Sequence, residues 1–246
     1  MHTILVILAA LIPEAIALLH IYKKDYDQPE PLKWLWKAFI FGVISVLLSL
    51  AFSIPAGALL GIELNSDVYS SIFHALADAF LLAAIPEELA KLIFLWLLLR
   101  KNPYFDEEFD GIVYAVCLGM GFAGIENIMY LADGIADGSW VSIGIIRALF
   151  SIPGHFLFAV LMGYYYSLYH FGINRSLKTK AMIIVAPILA HGIYDGIIMS
   201  IHTNGGIAII SMVLFLFFFN KLRKMGKERI DRLVSMKDIS NRNEES

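Results

Sequence analysis

Apolar runs of about 20 residues recur along the whole chain, and lipid is the solvent that runs of this length demand. An α-helix rises about 1.5 Å per residue, so each run is long enough to cross a hydrocarbon core of about 30 Å. The runs fall at residues 3–21, 37–60, 78–99, 109–131, 142–169, 180–201 and 205–220. All are predicted helices, because a lone strand leaves its backbone unpaired in lipid. The expected fold is therefore all-α: a polytopic transmembrane bundle of about seven spans that forms one domain over residues 1–220. Residues 221–246, basic and then polar, are expected to form a partly disordered cytoplasmic tail. With 59% of residues hydrophobic and 17% charged, the chain lacks the polar surface for a separate soluble domain.

The basic residues orient the bundle. Lys23, Lys24, Lys33 and Lys37 flank the first loop, Arg100 and Lys101 the third, Arg175, Lys178 and Lys180 the fifth, and Lys221, Arg223, Lys224, Lys227 and Arg229 begin the tail. Loops two, four and six have none, so the positive-inside rule places the N-terminus outside and the C-terminus in the cytoplasm. Pro13 and Glu14 interrupt the first run, and no basic segment precedes it, which favours a retained span over a cleaved signal peptide. Trp34, Trp36 and Trp140 sit where interfacial anchors belong, and residues 66–77 are expected to form a short helix on the outer surface. The partner implied is the bilayer, with nothing pointing to nucleic acid. Cys117, alone and inside an apolar run, excludes disulfides and reads as a small buried residue.

Two motif matches fail on context. Residues 119–124 have the spacing of a dinucleotide-binding loop, but no strand precedes them; small residues in such a span serve close helix packing instead. Residues 174–176 match a glycosylation acceptor, yet charge places that loop in the cytoplasm.

The chemistry must reside in residues that lipid penalises. Glu14, Glu87, Glu88, Lys91, Glu126, Arg147, His155, His191 and Asp195 all lie inside predicted spans, where a charge at the centre costs about 2.5–3.5 kcal/mol. Such groups must face one another or a wet cavity. Glu87 and Lys91 are four residues apart, on one helix face, and so are His191 and Asp195. A carboxylate beside an ammonium can hold its charge and accept a proton from water; a carboxylate beside an imidazole can orient it. Any one pair alone would read as a structural ion pair, but four spans contribute groups of this kind. Pro86, Pro153 and Pro187 each lie close to these polar residues and remove a backbone hydrogen bond there. Counting back from the predicted outer ends at about 1.5 Å per residue puts Glu87 and His191 roughly 15 Å deep, so the groups converge on the outer half of the bilayer. A water-filled cavity open to that side is expected. Arg147 either snorkels to the outer surface or reaches inward.

Taken as a set, the segments PEELAKL, FDEEFDGIVYA with LGMGFAGIENIMYL, RALFSIPGHFLFAVLMGYYY and HGIYDGI resemble the PrsW intramembrane proteases, relatives of the CAAX prenyl protease and bacteriocin-immunity superfamily. The likeness covers most of residues 80–200, and YKKDYDQPEP in the first loop is similar too. It implies an endopeptidase of the bacterial cell membrane that performs site-1 cleavage of a single-pass membrane anti-sigma factor, starting a stress response. It also implies essential roles for Glu87, Glu88 and His191. The mechanism expected is hydrolysis by activated water: Glu87 or Glu88 as base, His191 and Asp195 at the oxyanion or leaving amine, Glu126 and His155 holding the water, Lys91 and Arg147 in support. The second motif ends in Glu126 where prenyl proteases have His, and His155 is the candidate replacement. His155, His191 and Glu126 also form a set able to hold Zn²⁺ with an open position, although the His-Glu-x-x-His helix motif is absent; metal dependence stays open. Glu14 has no counterpart in the pattern.

Two readings from other classes compete. Buried Glu, Lys and His also make proton relays, as in a proton-coupled transporter, which predicts two-sided access and often inverted repeats; no repeat is seen. A non-catalytic membrane scaffold would tolerate loss of Glu87.

Overall fold

The computed structural model describes residues 2–62, 69–203 and 205–244. Among them the helices are α1 (His2–Lys24), α2 (Leu32–Leu60), α3 (Ile72–Ala77), α4 (Ile85–Leu99), α5 (Asp110–Asp133), α6 (Trp140–Ile146), α7 (Ile152–His170), α8 (Leu177–Ser200) and α9 (Gly205–Glu244). π-helical turns at Asp78–Ala84 and Arg147–Ser151 fuse α3 to α4 and α6 to α7, so the described residues form seven continuous helical rods and no strand. Five stretches are long and apolar enough to cross a membrane: Ile4–Lys24, Leu32–Leu60, Asp110–Asp133, Trp140–His170 and Leu177–Ser200. The all-α polytopic prediction holds.

Helix α5 is the axis of the bundle. From Asp110 to Gly124 its residues are buried without a break, as expected of a helix apolar on every side. It packs against α1, α2 and α7. Close approach needs missing side chains: a Cβ at Gly121 would strike the Phe39 backbone of α2, and one at Gly119 would press on Ala159 of α7. The glycine-rich stretch at 119–124 is thus a packing face, as its context predicts. Cys117 is buried in the same core. Outward, Ile4, Ile12 and Ile16 of α1, Leu47 and Ile54 of α2 and Ile209, Val213 and Phe217 of α9 are exposed, an apolar surface that suits lipid.

Two elements depart from expectation. Of the surface helix predicted at residues 66–77, positions 66–68 lie outside the described residues, while α3 runs on into the third rod instead of lying apart from it. The polar C-terminal segment is helical through Glu244. Leu222, Ile230 and Leu233 are buried, and Arg232 Nη1 donates to the Tyr164 hydroxyl at 2.8 Å. These apolar positions recur at helical spacing between charged ones, a stripe that overall charge conceals.

The connections after α1 and before α5 meet at one end of the bundle. Asp25 and Asp110 are fully buried there, Glu30 nearly so, and the Tyr114 hydroxyl of α5 donates to Glu30. Burial, opposed by that hydroxyl, pushes the Glu30 carboxyl up to about 7.

Candidate active site

Pro86 begins the local chain of causes. Lacking an N–H, it cannot donate to the Leu82 carbonyl one turn earlier, and the backbone widens there: the Ile85 N–H reaches back to Phe80 O, five residues away. The freed Leu82 carbonyl accepts from Ser53 Oγ of α2 at 2.6 Å. Glu87 and Glu88 follow directly, on the first turn of α4. The second π-turn has the same form. The Ile152 N–H donates to Arg147 O just before Pro153, and Arg147 and His155 flank the irregularity.

The two glutamates have different surroundings. Lys91 Nζ lies 3.1 Å from Glu87 Oε2 and 2.9 Å from Glu88 Oε1, and it sits over the Phe122 ring. Glu88, fully buried, also meets His191 Nδ1 at 2.9 Å. Glu87 lies 4.0 Å from His191 Nε2 and lines a cavity of about 370 Å³, which Glu88 does not. Asp195 Oδ2 is 2.9 Å from His191 Nε2, so both imidazole nitrogens face carboxylates, and Phe158 stacks on the ring. The predicted same-face pairs on α4 and α8 are therefore present, and the structure joins them into one cluster.

A second cluster abuts the first. Glu126 Oε2 lies 2.7 Å from His155 Nε2 and 3.0 Å from Arg147 Nη2. His155 Nδ1 is 3.5 Å from Lys91 Nζ, and the rings of His155 and His191 are 5.4 Å apart. Arg147 turns inward: its Nε donates to Asn127 Oδ1 and its guanidinium lies over Tyr130. Asn127 in turn donates to Glu14 at 2.6 Å, which gives Glu14, 1% exposed, a structural partner that the sequence did not suggest. Glu87, Glu126, Arg147, His155, His191 and Asp195 all line the cavity. So does Tyr194, which is buried and whose hydroxyl has no hydrogen-bond partner among the described residues; sequence reading passed over it, although it sits inside HGIYDGI.

Charged side chains from α4, α5, α7 and α8 around a polar cavity in a lipid-spanning bundle can hydrolyse a bond delivered from within the membrane. A family model described as PrsW family intramembrane metalloprotease matches residues 30–222. The chain belongs to the PrsW family. Protease PrsW of Clostridioides difficile (strain 630) is 35% identical over 222 residues, 88% of this chain and 90% of that protein. Protease PrsW of Oceanobacillus iheyensis is 36% identical over 195 residues, 78% of this chain and 82% of that protein. For Protease PrsW of Bacillus subtilis (strain 168), identity is 32% over 225 residues, 91% and 95% of the two chains. No solved structure matches the chain. The protein is a multi-pass intramembrane protease of a bacterial membrane, as the resemblance implied.

The family description implies a metal, and the site can be tested for one. Glu87, Glu88 and His191 each offer a donor atom within 4.8 Å of the others. Glu88 Oε2 is buried without a hydrogen-bond partner among the described residues, and Asp195 braces the far nitrogen of His191 as carboxylates brace zinc-bound imidazoles. This set fits a divalent ion, although Lys91 shares both glutamates. It differs from the set expected from sequence: of His155, His191 and Glu126, only His191 belongs to it, because Glu126 is taken up by His155 and Arg147.

Proposed function

We propose that this chain performs site-1 cleavage of a single-pass membrane anti-sigma factor near its extracytoplasmic side, using water activated by glutamate and histidine. The supporting observation is the division between the paired glutamates: Glu87 opens onto the cavity while Glu88 holds Lys91 and His191 from behind. Glu87 is therefore the base and Glu88 a positioning residue. Water in the cavity bonds to the scissile carbonyl carbon as its proton passes to Glu87, whose charge Lys91 balances. The Tyr194 hydroxyl donates to the developing oxyanion, and His191, held between Glu88 and Asp195, stands beside it on the cavity wall. The C–N bond then breaks, and the leaving amine takes the proton from Glu87. Glu126 and His155, fixed by Arg147, orient the attacking water. If the resident ion is Zn²⁺, Glu87, Glu88 and His191 would hold it; a zinc ion supplies Lewis acidity that polarises a carbonyl and acidifies bound water. A carboxylate has two oxygens, so holding an ion and taking a proton are compatible. The orientation proposed, with the N-terminus outside, rests on the basic loops and makes the cavity extracytoplasmic.

The test is cleavage of tagged single-pass anti-sigma factors by purified protein in proteoliposomes. Glu87→Gln and His191→Ala should lose activity by about 10²–10⁴-fold, the range for removing an acid–base group, while remaining folded. Glu88→Gln should fall with them through misplacement of His191. Retention of cleavage in all three variants would refute the site. Failure of the wild type across a substrate panel would overturn the proposed substrate class and point to another membrane protein as the substrate.

A further inference from the structure

At the end of the bundle where α1 joins α2 and α4 joins α5, five carboxylates converge in two overlapping triads. Asp25, Glu107 and Asp110 each offer an oxygen within 4.8 Å of the others, and so do Glu30, Asp106 and Asp110. The cluster shares no residue with the proteolytic site. Its geometry is built by the backbone: Asp110 Oδ2 accepts the N–H groups of Asp106 at 3.1 Å and Glu107 at 2.7 Å, curling that loop over the start of α5. Across from it, Asp25 Oδ2 accepts the Glu30 N–H at 3.3 Å and turns the first loop back on itself.

A gathering of acids is not in itself a site, and a separate feature distinguishes this one. Asp110 is 0% exposed, supplies an oxygen to both triads, and its Oδ1 meets no N–H or hydroxyl donor among the described residues, the Glu30 carboxyl being the side chain that approaches Asp110. Nor does any Lys or Arg form an ion pair with Asp110 or Glu30 among them. A buried carboxylate oxygen without a donor is costly unless a cation or proton meets it. We infer that these two loops bind a hard divalent cation, Ca²⁺ or Mg²⁺, with Asp110 as its central ligand and Asp25, Glu30, Asp106 and Glu107 as the surrounding donors. The all-oxygen donor set excludes preference for a thiolate- or imidazole-seeking metal. The spacing within each triad suits one ion, since oxygens about 2.3–2.6 Å from Ca²⁺ stand at most about 5 Å apart across it, and Asp110 is common to both. The consequence for the fold is a clamp. The ion ties the segment linking α1 to α2 to the segment entering α5, the central helix, and so adds a second polar tie between α1 and α5 at the end of the bundle away from the Glu14–Asn127 contact.

The experiment uses the full chain in detergent micelles, stripped of divalent ions, in a Glu87→Gln/His191→Ala background that removes two of the three candidate zinc donors. Ca²⁺ and Mg²⁺ are titrated separately, with binding followed by isothermal calorimetry and stability by thermal unfolding. A saturable single-site isotherm for at least one ion, with a rise in Tm that saturates in parallel, is expected; which ion binds more tightly identifies the occupant. Asp110→Asn should abolish both signals. The exposed Asp106→Asn, which leaves the buried part of the cluster intact, should weaken binding at least 10-fold even if Asp110→Asn fails to fold. The inference is overturned if neither ion binds saturably, or if Asp106→Asn binds as the background does. Those outcomes would mean that the carboxylates share protons instead.

Discussion

Glu87 and Glu88 are neighbours in sequence, and helical geometry alone gives them different work. One residue is about 100° of rotation, enough to aim Glu87 at the cavity and turn Glu88 into the packed wall, where it meets Lys91 and His191. Tyr194 is the sharper test of the site, because only its hydroxyl faces a role. Tyr194→Phe keeps the ring against Phe158 and Phe215 and removes one donor, so kcat should fall by about 10²-fold, the size of a lost oxyanion contact, with KM and the unfolding temperature unchanged. Single-turnover cleavage in proteoliposomes measures this; an unchanged kcat would remove Tyr194 from the mechanism. Spacing made part of this site legible beforehand: Glu87 with Lys91, and His191 with Asp195, each occupy one helix face. The rest depends on contacts between helices. Glu14 and Asn127 are 113 positions apart, and no local pattern announces that they meet. Tyr194 was illegible because tyrosine is unremarkable in an apolar span; its place on the cavity wall and a hydroxyl without a hydrogen-bond partner among the described residues single it out.

At the scale of elements, runs of lipid length located the helices well, because period and length both follow from crossing the bilayer. The π-turns were not legible, although the prolines that accompany them were. A proline shows that a hydrogen bond is lost but not how the backbone or a neighbour responds; here Ser53 on another helix takes up the Leu82 carbonyl. That contact predicts a coupled pair. Ser53→Ala leaves a buried carbonyl unpaired and should destabilise the fold by about 1–3 kcal/mol in thermal unfolding. Pro86→Ala restores an N–H that can reach the same carbonyl, so the double variant should lose less stability than Ser53→Ala alone. It should nevertheless cleave more slowly, because closing the wide turn rotates Glu87 away from the cavity. Strictly additive stabilities would show that Ser53 does not replace the proline's missing bond. The helical extension of α9 beyond residue 220 was missed for a different reason: its buried stripe of Leu222, Ile230 and Leu233 is diluted by charge, and composition outweighed period.

For the whole molecule, the open question is which side of the membrane reaches the catalytic water. The cavity lies between rods whose loops differ sharply in charge, and the basic ones connect the ends remote from it under the proposed orientation. A soluble reagent that cannot cross lipid should therefore enter from outside. With the buried Cys117 replaced by Ser, single cysteines at Met129 and Met199, two cavity-lining positions without a catalytic part, report access to the cavity, and one at Lys178 reports the opposite face. Intact cells treated with a charged maleimide should label the first two and spare the third, which should react only after the membrane is opened. Labelling at Lys178 alone in intact cells would invert the bundle, and would move cleavage to the cytoplasmic side, where an extracytoplasmic first cut of an anti-sigma factor is impossible. Labelling of the cavity positions from both sides would instead indicate a continuous aqueous path, which a transporter requires and a protease confined to one leaflet does not.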